Sequence, residues 1–539
     1  MHIDLRVIRC RSVHRVLRVG AMLFACVESA CAPGTPRIDG APGAPPSPSV
    51  PWTVPEAVRT PPPPAAPPVA PQASAALQAD SANEQGAQDL SLTDVIDLAL
   101  RNNPATRESW ATALAAADQY GASKGALFPN VNGNVQLARS GSSAGSTSNG
   151  VNGTTGTGLG NTGTGIGLAT DSTGTGRTST GSGGASSTRT QLAPSVSLSY
   201  LVFDFGGRAG TIEGAKQQAI AADLNHNATV QNVVLQVESA LFSYIATRAQ
   251  RDAQLVSVTE ARADTAAAEA RLRVGVGTLE EVLQTRTALA QALFQLATNE
   301  GDLLDAHATL ATTMGLQANA RFEVPNVTAG ATVSTVAATV DTLINRAIVA
   351  RPELAESRAQ AAALAADIRV ARSAGYPALT LSSTGSYTRE LQGGGTSGRN
   401  YSLVLGLQIP IFNGFARQYQ LRAAQADYQA GLARVTSTLQ QITLEVYTSY
   451  AAVQTSVQRV QAATELLASA QQSADVAVGR YREGVGTIVD VLLARSSLET
   501  ARGEDIQAQW EWRTALAQLA HDTGSLDTAG RPNVLLGPP

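Results

Sequence analysis

The chain has 539 residues, of which 43% are hydrophobic and 15% charged, with a formal net charge of −4. That length admits two to four ordinary domains. The low and nearly balanced charge excludes an electrostatic nucleic-acid binder, so no nucleic-acid partner is expected.

At the N-terminus, Arg6, Arg9, Arg11, Arg15 and Arg18 precede the short apolar run Val19–Val27. A basic stretch followed by a short apolar one is the pattern of a secretory signal, here within residues 1–31. The three cysteines, Cys10, Cys26 and Cys31, all lie in this segment, so the rest of the chain has no disulfide framework and no thiol chemistry. Leu23-Phe-Ala-Cys26 resembles a lipoprotein signal-peptidase site with Cys26 as the lipidated residue, although Phe24 is bulky for its position. Ser29-Ala-Cys31 is the rival site, with Glu28 at what should be an apolar position. An ordinary cleaved signal with incidental cysteines is the third reading. No later stretch has about 18 or more consecutive apolar residues, so no transmembrane helix is predicted; entry into a membrane as a barrel stays open. Residues 32–89 are rich in Pro and Ala, densest at Pro61–Pro64, and read as an extended linker that buries no core.

Order begins at Leu90-Ser-Leu-Thr-Asp94, where Thr93 or Ser91 can cap a helix carrying Val95, Ile96, Leu98, Ala99 and Leu100. Asn102-Asn-Pro104 interrupts it, and a second helix is predicted to about Leu127. Comparison of the chain with itself then reveals a tandem repeat. Pro104 and Pro129 recur as Pro352 and Pro377, both displaced by 248 residues. Phe203, Arg208, Gly275-Val-Gly-Thr278 and Gly315 recur as Phe412, Arg417, Gly484-Val-Gly-Thr487 and Gly524, all displaced by 209. The difference places 39 extra residues of the first half inside a Gly/Ser/Thr tract at 140–190, where the second half has only Gly393-Gly-Gly395. The tract reads as a long loop of low complexity. The repeats span 90–324 and 325–526, leaving a tail at 527–539.

Each repeat has one plan. Asn130–Arg139 alternates weakly, and Pro194–Phe203 alternates clearly with Val196, Leu198, Tyr200 and Val202 on one face. Ala378–Arg389 and Tyr401–Ile409 are their counterparts, so each pair reads as a β-hairpin. No proline interrupts the stretch between Pro194 and Pro325, or between Pro410 and Pro532. A helix from Arg208 to Leu272 would run about 97 Å. Val230, Val237 and Tyr244 recur every seven residues, as do Leu439, Val446, Val453, Val460 and Leu467. Such a repeat predicts coiled-coil packing. Each GVGT marks a reversal into a returning helix, Leu279–Met314 or Ile488–Thr523. The shorter helices at 105–127 and 353–375 can supply the remaining length. Four strands cannot close a barrel, and a small open sheet leaves edges unpaired. Three chains would supply twelve strands, an even number suited to an outer-membrane barrel.

This plan resembles the TolC-like outer-membrane efflux duct family over about Leu90–Leu526. The marks are Leu92–Leu100 with Asn103-Pro104, the Pro-initiated strands, Leu201-Val-Phe-Asp-Phe-Gly206 against Ile409-Pro-Ile-Phe-Asn-Gly414, and Tyr481-x-x-Gly484 followed by Thr487-Ile-Val-Asp-Val-Leu492. The resemblance implies a mainly α fold with a small β part. It implies a homotrimer with a 12-stranded barrel in outer-membrane lipid and a long α-helical coiled-coil tunnel in the periplasm. It also implies docking to an inner-membrane pump through a periplasmic adaptor (membrane fusion) protein.

By motif, Asp490 falls at a ring-forming acidic position of the family's periplasmic gate, Tyr481 at a tyrosine that holds the gate shut, and Glu281, beside Glu280, at the matching acidic position of the first repeat. Adaptor contacts would cluster at the turns, Gly275, Gly277, Thr278, Gly484, Gly486 and Thr487. Gly486 replaces an arginine and Leu493 a second acidic residue of the family pattern, so the latch is expected to differ. A ring of three acids on a narrow axis would attract cations. Independently of any gate, Glu280, Glu281 and Asp490 are acids at helix starts, where the dipole stabilises them.

None of the five histidines has metal-ligand spacing, and no phosphate cradle or Ser-His-Asp order stands out. No cofactor and no enzymatic activity are expected. The reading is a passive channel subunit of a tripartite efflux or export system. The alternative is a lipid-anchored, periplasm-spanning coiled-coil protein without channel activity, against which the alternating strands argue.

Overall fold

The computed structural model describes residues 37–38, 41–42, 47, 49–52, 91–142, 187–324, 338–392 and 397–526. The signal segment with Cys26 and Cys31, nearly all of the Pro/Ala linker, residues 143–186 of the Gly/Ser/Thr loop and the tail from 527 lie outside them. The chain divides into two compact units that cut across the repeats: a helical unit (1–125, 206–374 and 413–539) and a strand unit (126–205 and 375–412).

The helical unit contains α1 (Leu92–Asn102), α2 (Pro104–Lys124), α3 (Gly207–Arg273) and α4 (Leu279–Thr313) from the first repeat. From the second it contains α5 (Val340–Ala350), α6 (Pro352–Ser373), α7 (Ala416–Arg482) and α8 (Ile488–Asp522). The bounds of α7 and α8 are those of α3 and α4 moved by 209 residues, and α5 and α6 begin 248 residues after α1 and α2. Ser91, rather than Thr93, caps α1: its hydroxyl accepts from the Asp94 N–H, while the Asp94 carboxylate accepts from the Ser91 N–H. Asn103 ends α1 and caps α2, whose first residue, Pro104, needs no donor partner. The α2 helix ends at Lys124, and a single 3-10 turn, Gly125–Leu127, completes the segment expected to be helical.

The shorter helices complete the length as expected. At the near end of α3, His226 meets Ser109 of α2; farther along, the Gln254 amide and the Thr265 hydroxyl donate to the Ala292 and Thr285 carbonyls of α4. Helices α2 and α4 therefore line α3 one after the other. Their junction is tight. The Asn103 side chain donates to the Thr313 carbonyl at 3.0 Å. Gly315, at φ +75°, lies so close to Asn102 that a Cβ there would sit 2.6 Å from the Asn102 carbonyl carbon. Gly524, at φ +66°, repeats the approach against Ala350 and Arg351. The buried Arg351 guanidinium caps that second junction, paired with Glu353 at 2.8 Å and with Glu445 of α7.

The seven-residue series sits in the core: Val230, Val237 and Tyr244 join Val446, Val453 and Val460 in one buried cluster with Leu310, Leu354 and Leu519. Each such aliphatic side chain contributes roughly 1.5–3 kcal/mol by leaving water. Two acids on α3 oppose this. Asp223 is fully buried, and neither carboxylate oxygen has a hydrogen-bond partner among the described residues. Burial pushes its carboxyl up to about 8, and that of the buried Glu238 up to about 7. The folded protein thus holds protons that the unfolded chain has released above about pH 4, so stability falls as pH rises from there to about 8. Asp223→Leu is expected to raise the thermal midpoint at about pH 8 and to flatten its decline from about pH 5. Circular-dichroism melts at a series of pH values test this, and an unchanged slope would contradict it.

The strand unit is one antiparallel sheet in the order β1 (Asn130–Ser142), β2 (Ser187–Phe203), β3 (Ala378–Gln392) and β4 (Ser397–Gln408). The two expected hairpins are present, and the β2–β3 pairing joins them across the repeats. Residues paired across an antiparallel ladder share a face, so the register sorts the side chains. One face carries the rows Val131–Leu198–Ser383–Leu403 and Tyr200–Leu381–Leu405, with Val135, Leu137 and Tyr401 on the same side. The other carries Asn132–Ser197–Thr384–Ser402 and Asn134–Ser195–Ser386–Asn400. The apolar face is open to solvent in the single chain, with Tyr401 89% exposed and Val135 71%. Along β1 the alternation is weak, as expected: Asn130, Asn132, Asn134 and Gln136 oppose Val131, Val135 and Leu137, but Gly133, Ala138 and Arg139 interrupt it.

Candidate functional site

The motif residues gather at the turns that join α3 to α4 and α7 to α8. Each long helix ends in the same way. Gly275 and Gly484 take left-handed conformations (φ +80° and +76°), which a Cβ would disfavour. The N–H groups of Val276 and Gly277 fold back onto the Arg271 carbonyl, and those of Val485 and Gly486 onto the Arg480 carbonyl. A Cβ at Gly277 would meet Arg271 Cβ at 2.9 Å, and one at Gly486 would meet Arg480 Cβ at 3.0 Å. The turns are therefore narrow because all four glycines are needed. Thr278 and Thr487 then cap the returning helices, their hydroxyls accepting from the N–H groups of Glu281 and Asp490 at 3.2 Å.

The three acids behave differently. Asp490 closes a capping box: its carboxylate accepts from the Thr487 N–H at 3.0 Å. The backbone N–H of Thr487, and then its hydroxyl, hold the exposed Asp490 carboxyl below the usual carboxylate range. Glu280 accepts from Gln284 one turn along the same helix. Glu281 instead reaches the other repeat, where the Tyr481 hydroxyl donates to its carboxylate at 3.4 Å. Tyr481 is 6% exposed, packed with Ile488 and Val491, and the Arg271 guanidinium lies 4.8 Å from its ring centroid. Burial, with the Glu281 charge second, raises the Tyr481 hydroxyl above its ordinary range. The structure thus brings Tyr481 and Glu281 together, while Asp490 and Glu280 stay on their own helices.

Sequence reasoning missed a second link between the repeats, deeper in the bundle. Arg495 of α8 pairs with Glu260 at 2.7 Å and Asp264 at 3.4 Å, both on α3, and Arg502 reaches Glu260 at 3.2 Å. All four are half-buried. Desolvation raises the Asp264 carboxyl despite Arg495 beside it. The signal was available in the 209-residue offset. Arg495 is the counterpart of Arg286, which pairs with Glu269 inside its own hairpin at 2.7 Å. The counterpart of Glu269 is Val478, and those of Glu260 and Asp264 are Ser469 and Ser473. Arg495 therefore has no acid at that place in its own hairpin and two across the seam. A groove of about 470 Å³ lies beside this cluster, lined by Gln284, Gln291, Gln295 and Glu499 among others. Among the described residues no helix is long and apolar enough to cross a membrane.

Comparison with known proteins follows the same two repeats. The family model for outer membrane efflux protein matches residues 95–316 and 343–525. Protein CyaE of Bordetella pertussis is 26% identical over 455 residues, covering 84% of this chain and 87% of that protein. The pyoverdine export outer membrane protein OpmQ of Pseudomonas aeruginosa is 28% identical over 352 residues, 62% of this chain and 69% of its own. Among solved structures, the outer membrane protein VceC of Vibrio cholerae superposes with a TM-score of 0.64 at 19% identity, covering 80% of this chain and 96% of that one.

Proposed function

The chain belongs to the outer membrane efflux protein family, and we propose that three copies of it close a passive duct that carries small molecules or secreted polypeptide from the periplasm to the exterior. As a family member it is an outer-membrane efflux channel protein with a TolC-like fold, not an enzyme.

The observation that carries the trimer is the sheet. Among the described residues, its outer strands, β1 and β4, each have one edge without a partner. Open edges do not persist in lipid, because each unmade backbone hydrogen bond there costs several kcal/mol. Joining β4 of one copy to β1 of the next removes every edge when three copies close twelve strands. The exposed Val, Leu and Tyr rows then face lipid, and the Asn, Ser and Thr rows face the lumen. A coiled-coil spacer outside the membrane has no use for a sheet with one mainly apolar, exposed face, which disfavours the non-channel alternative. The helical unit would form the periplasmic tunnel, with a periplasmic adaptor seated at the two GVGT turns and an inner-membrane pump supplying the energy. Lipidation at Cys26 or Cys31 would add an anchor.

The gate reading rests on the tips. Tyr481–Glu281 at the tips and the Arg495–Glu260–Asp264 cluster deeper in the bundle tie the two repeat hairpins together. The carboxylate of Asp490, exposed and kept ionised by its cap, would supply the ring charge facing the axis. In planar bilayers the purified trimer is expected to show discrete conductance steps; well-folded trimers that never conduct would overturn the duct reading. In the same recordings Asp490→Ala is expected to weaken block by multivalent cations, because it removes three charges from one ring. Block of equal strength in both proteins would reject that role for Asp490.

A further inference from the structure

We propose that α3 carries a docking slot for a tryptophan-bearing peptide, and that residues 49–52 of the chain's own N-terminal arm fill it to brace the seam between the two repeats. The slot reads the peptide in two ways. The Asn227 side chain grips the backbone of Trp52 from both sides: its carbonyl oxygen accepts from the Trp52 N–H at 2.7 Å, and its amide donates to the Trp52 carbonyl at 2.9 Å. A side-chain amide is one of the few groups that can match a peptide unit in this manner. One residue earlier on the helix, His226 Nε2 lies 3.3 Å from the Val50 carbonyl. A carbonyl can only accept, so Nε2 carries the proton and Nδ1 faces the Ser109 hydroxyl at 2.9 Å. Burial, which holds His226 below the usual imidazole range, agrees with this neutral tautomer.

The third contact gives specificity. Trp52 is 4% exposed and belongs to one buried cluster with Tyr120 of α2, Ala219, Ile220 and Leu224 of α3, and Ala359 of α6. Ile220, Leu224 and Asn227 fall on one helix face, at spacings of four and seven, so the indole and its backbone grip share a single stripe. The α2 and α3 helices come from the first repeat and α6 from the second, so the indole fills the place where the repeats meet. Pro51 fixes one backbone angle of the arm before it docks, which lowers the entropy lost on binding.

The test uses the full chain in detergent. In hydrogen exchange the Trp52 amide is expected to be protected in the wild type and to exchange roughly 10–100-fold faster in Asn227→Ala. Asn227→Asp keeps the acceptor and loses the donor, so it should fall between them. A labelled synthetic peptide of residues 49–52 is expected to bind Trp52→Ala, whose slot is intact but empty, and to fail on Trp52→Ala with Asn227→Ala. Fast exchange at Trp52 in the wild type would overturn the proposal, and so would equal binding of the peptide to both variants.

Discussion

Arg495→Gln is expected to raise the single-channel conductance of the reconstituted trimer, and Arg495→Gln combined with Tyr481→Phe to raise it further. Arg495 holds Glu260 and Asp264 of the opposite hairpin at 2.7 and 3.4 Å, in a setting where all three side chains are less than a quarter exposed. Ion pairs in such partly dry surroundings are worth on the order of 1 kcal/mol each. Removing the guanidinium leaves Glu260 to Arg502 at 3.2 Å and takes from Asp264 the arginine beside it. A loss of about 1.4 kcal/mol shifts the ratio of open to closed states tenfold. The expected change is therefore an increase in mean conductance or open time of roughly an order of magnitude, largest at low salt, where screening is weakest. Arg286→Gln is the control. It removes the counterpart arginine, whose partner Glu269 lies in the same hairpin, and should leave conductance unchanged. Equal behaviour of the two arginine variants would refute the assignment of the inter-repeat cluster to gating while leaving the duct itself intact.

Gly315→Ala is expected to cost the helical unit about 2–4 kcal/mol, although it adds a single methyl group. Two effects combine. The residue sits at φ +75°, where an L side chain is strained, and the new Cβ would lie 2.6 and 2.7 Å from the carbonyl carbon and oxygen of Asn102. Those are backbone atoms at the α1–α2 junction, so they cannot swing away as a side-chain tip would. Relief requires α4 to separate from α2, which would break the Asn103–Thr313 bond. Gly301→Ala supplies the opposite sign. Gly301 lies in the middle of α4 with no atom within 4 Å of a built Cβ, so alanine there should stabilise by roughly 0.5–1 kcal/mol. Thermal melts of the two variants decide the matter, and a Gly315→Ala protein as stable as the wild type would show that the junction is looser than the packing indicates.

The repeat, the long helices and their turns could be read along the chain because each depends on local features. Proline spacing delimits α3 and α7; the seven-residue series marks their buried stripes; the GVGT turns need glycine at fixed offsets. The 209-residue displacement predicts the bounds of α7 and α8 from those of α3 and α4 to the residue. Asp490 behaves as a helix-start acid whatever else it does, because its capping partner Thr487 is three residues away.

Other features depend on which elements pack side by side, and periodicity carries no information about that. The β2–β3 pairing joins strands from different repeats and sorts the sheet into an apolar and a polar face. Tyr481 meets Glu281 across 200 positions of sequence, and Arg495 meets Glu260 and Asp264 across more. Trp52, in a segment whose composition suggested only a linker, is buried 175 positions from the asparagine that grips it. By itself the sequence determined the elements, their order and the duplication, since these follow from hydrogen bonding and side-chain spacing within a few turns. Tertiary structure alone decided how the two copies diverge. An arginine shared by both repeats pairs at home in one and across the seam in the other, because the first hairpin has Glu269 where the second has Val478.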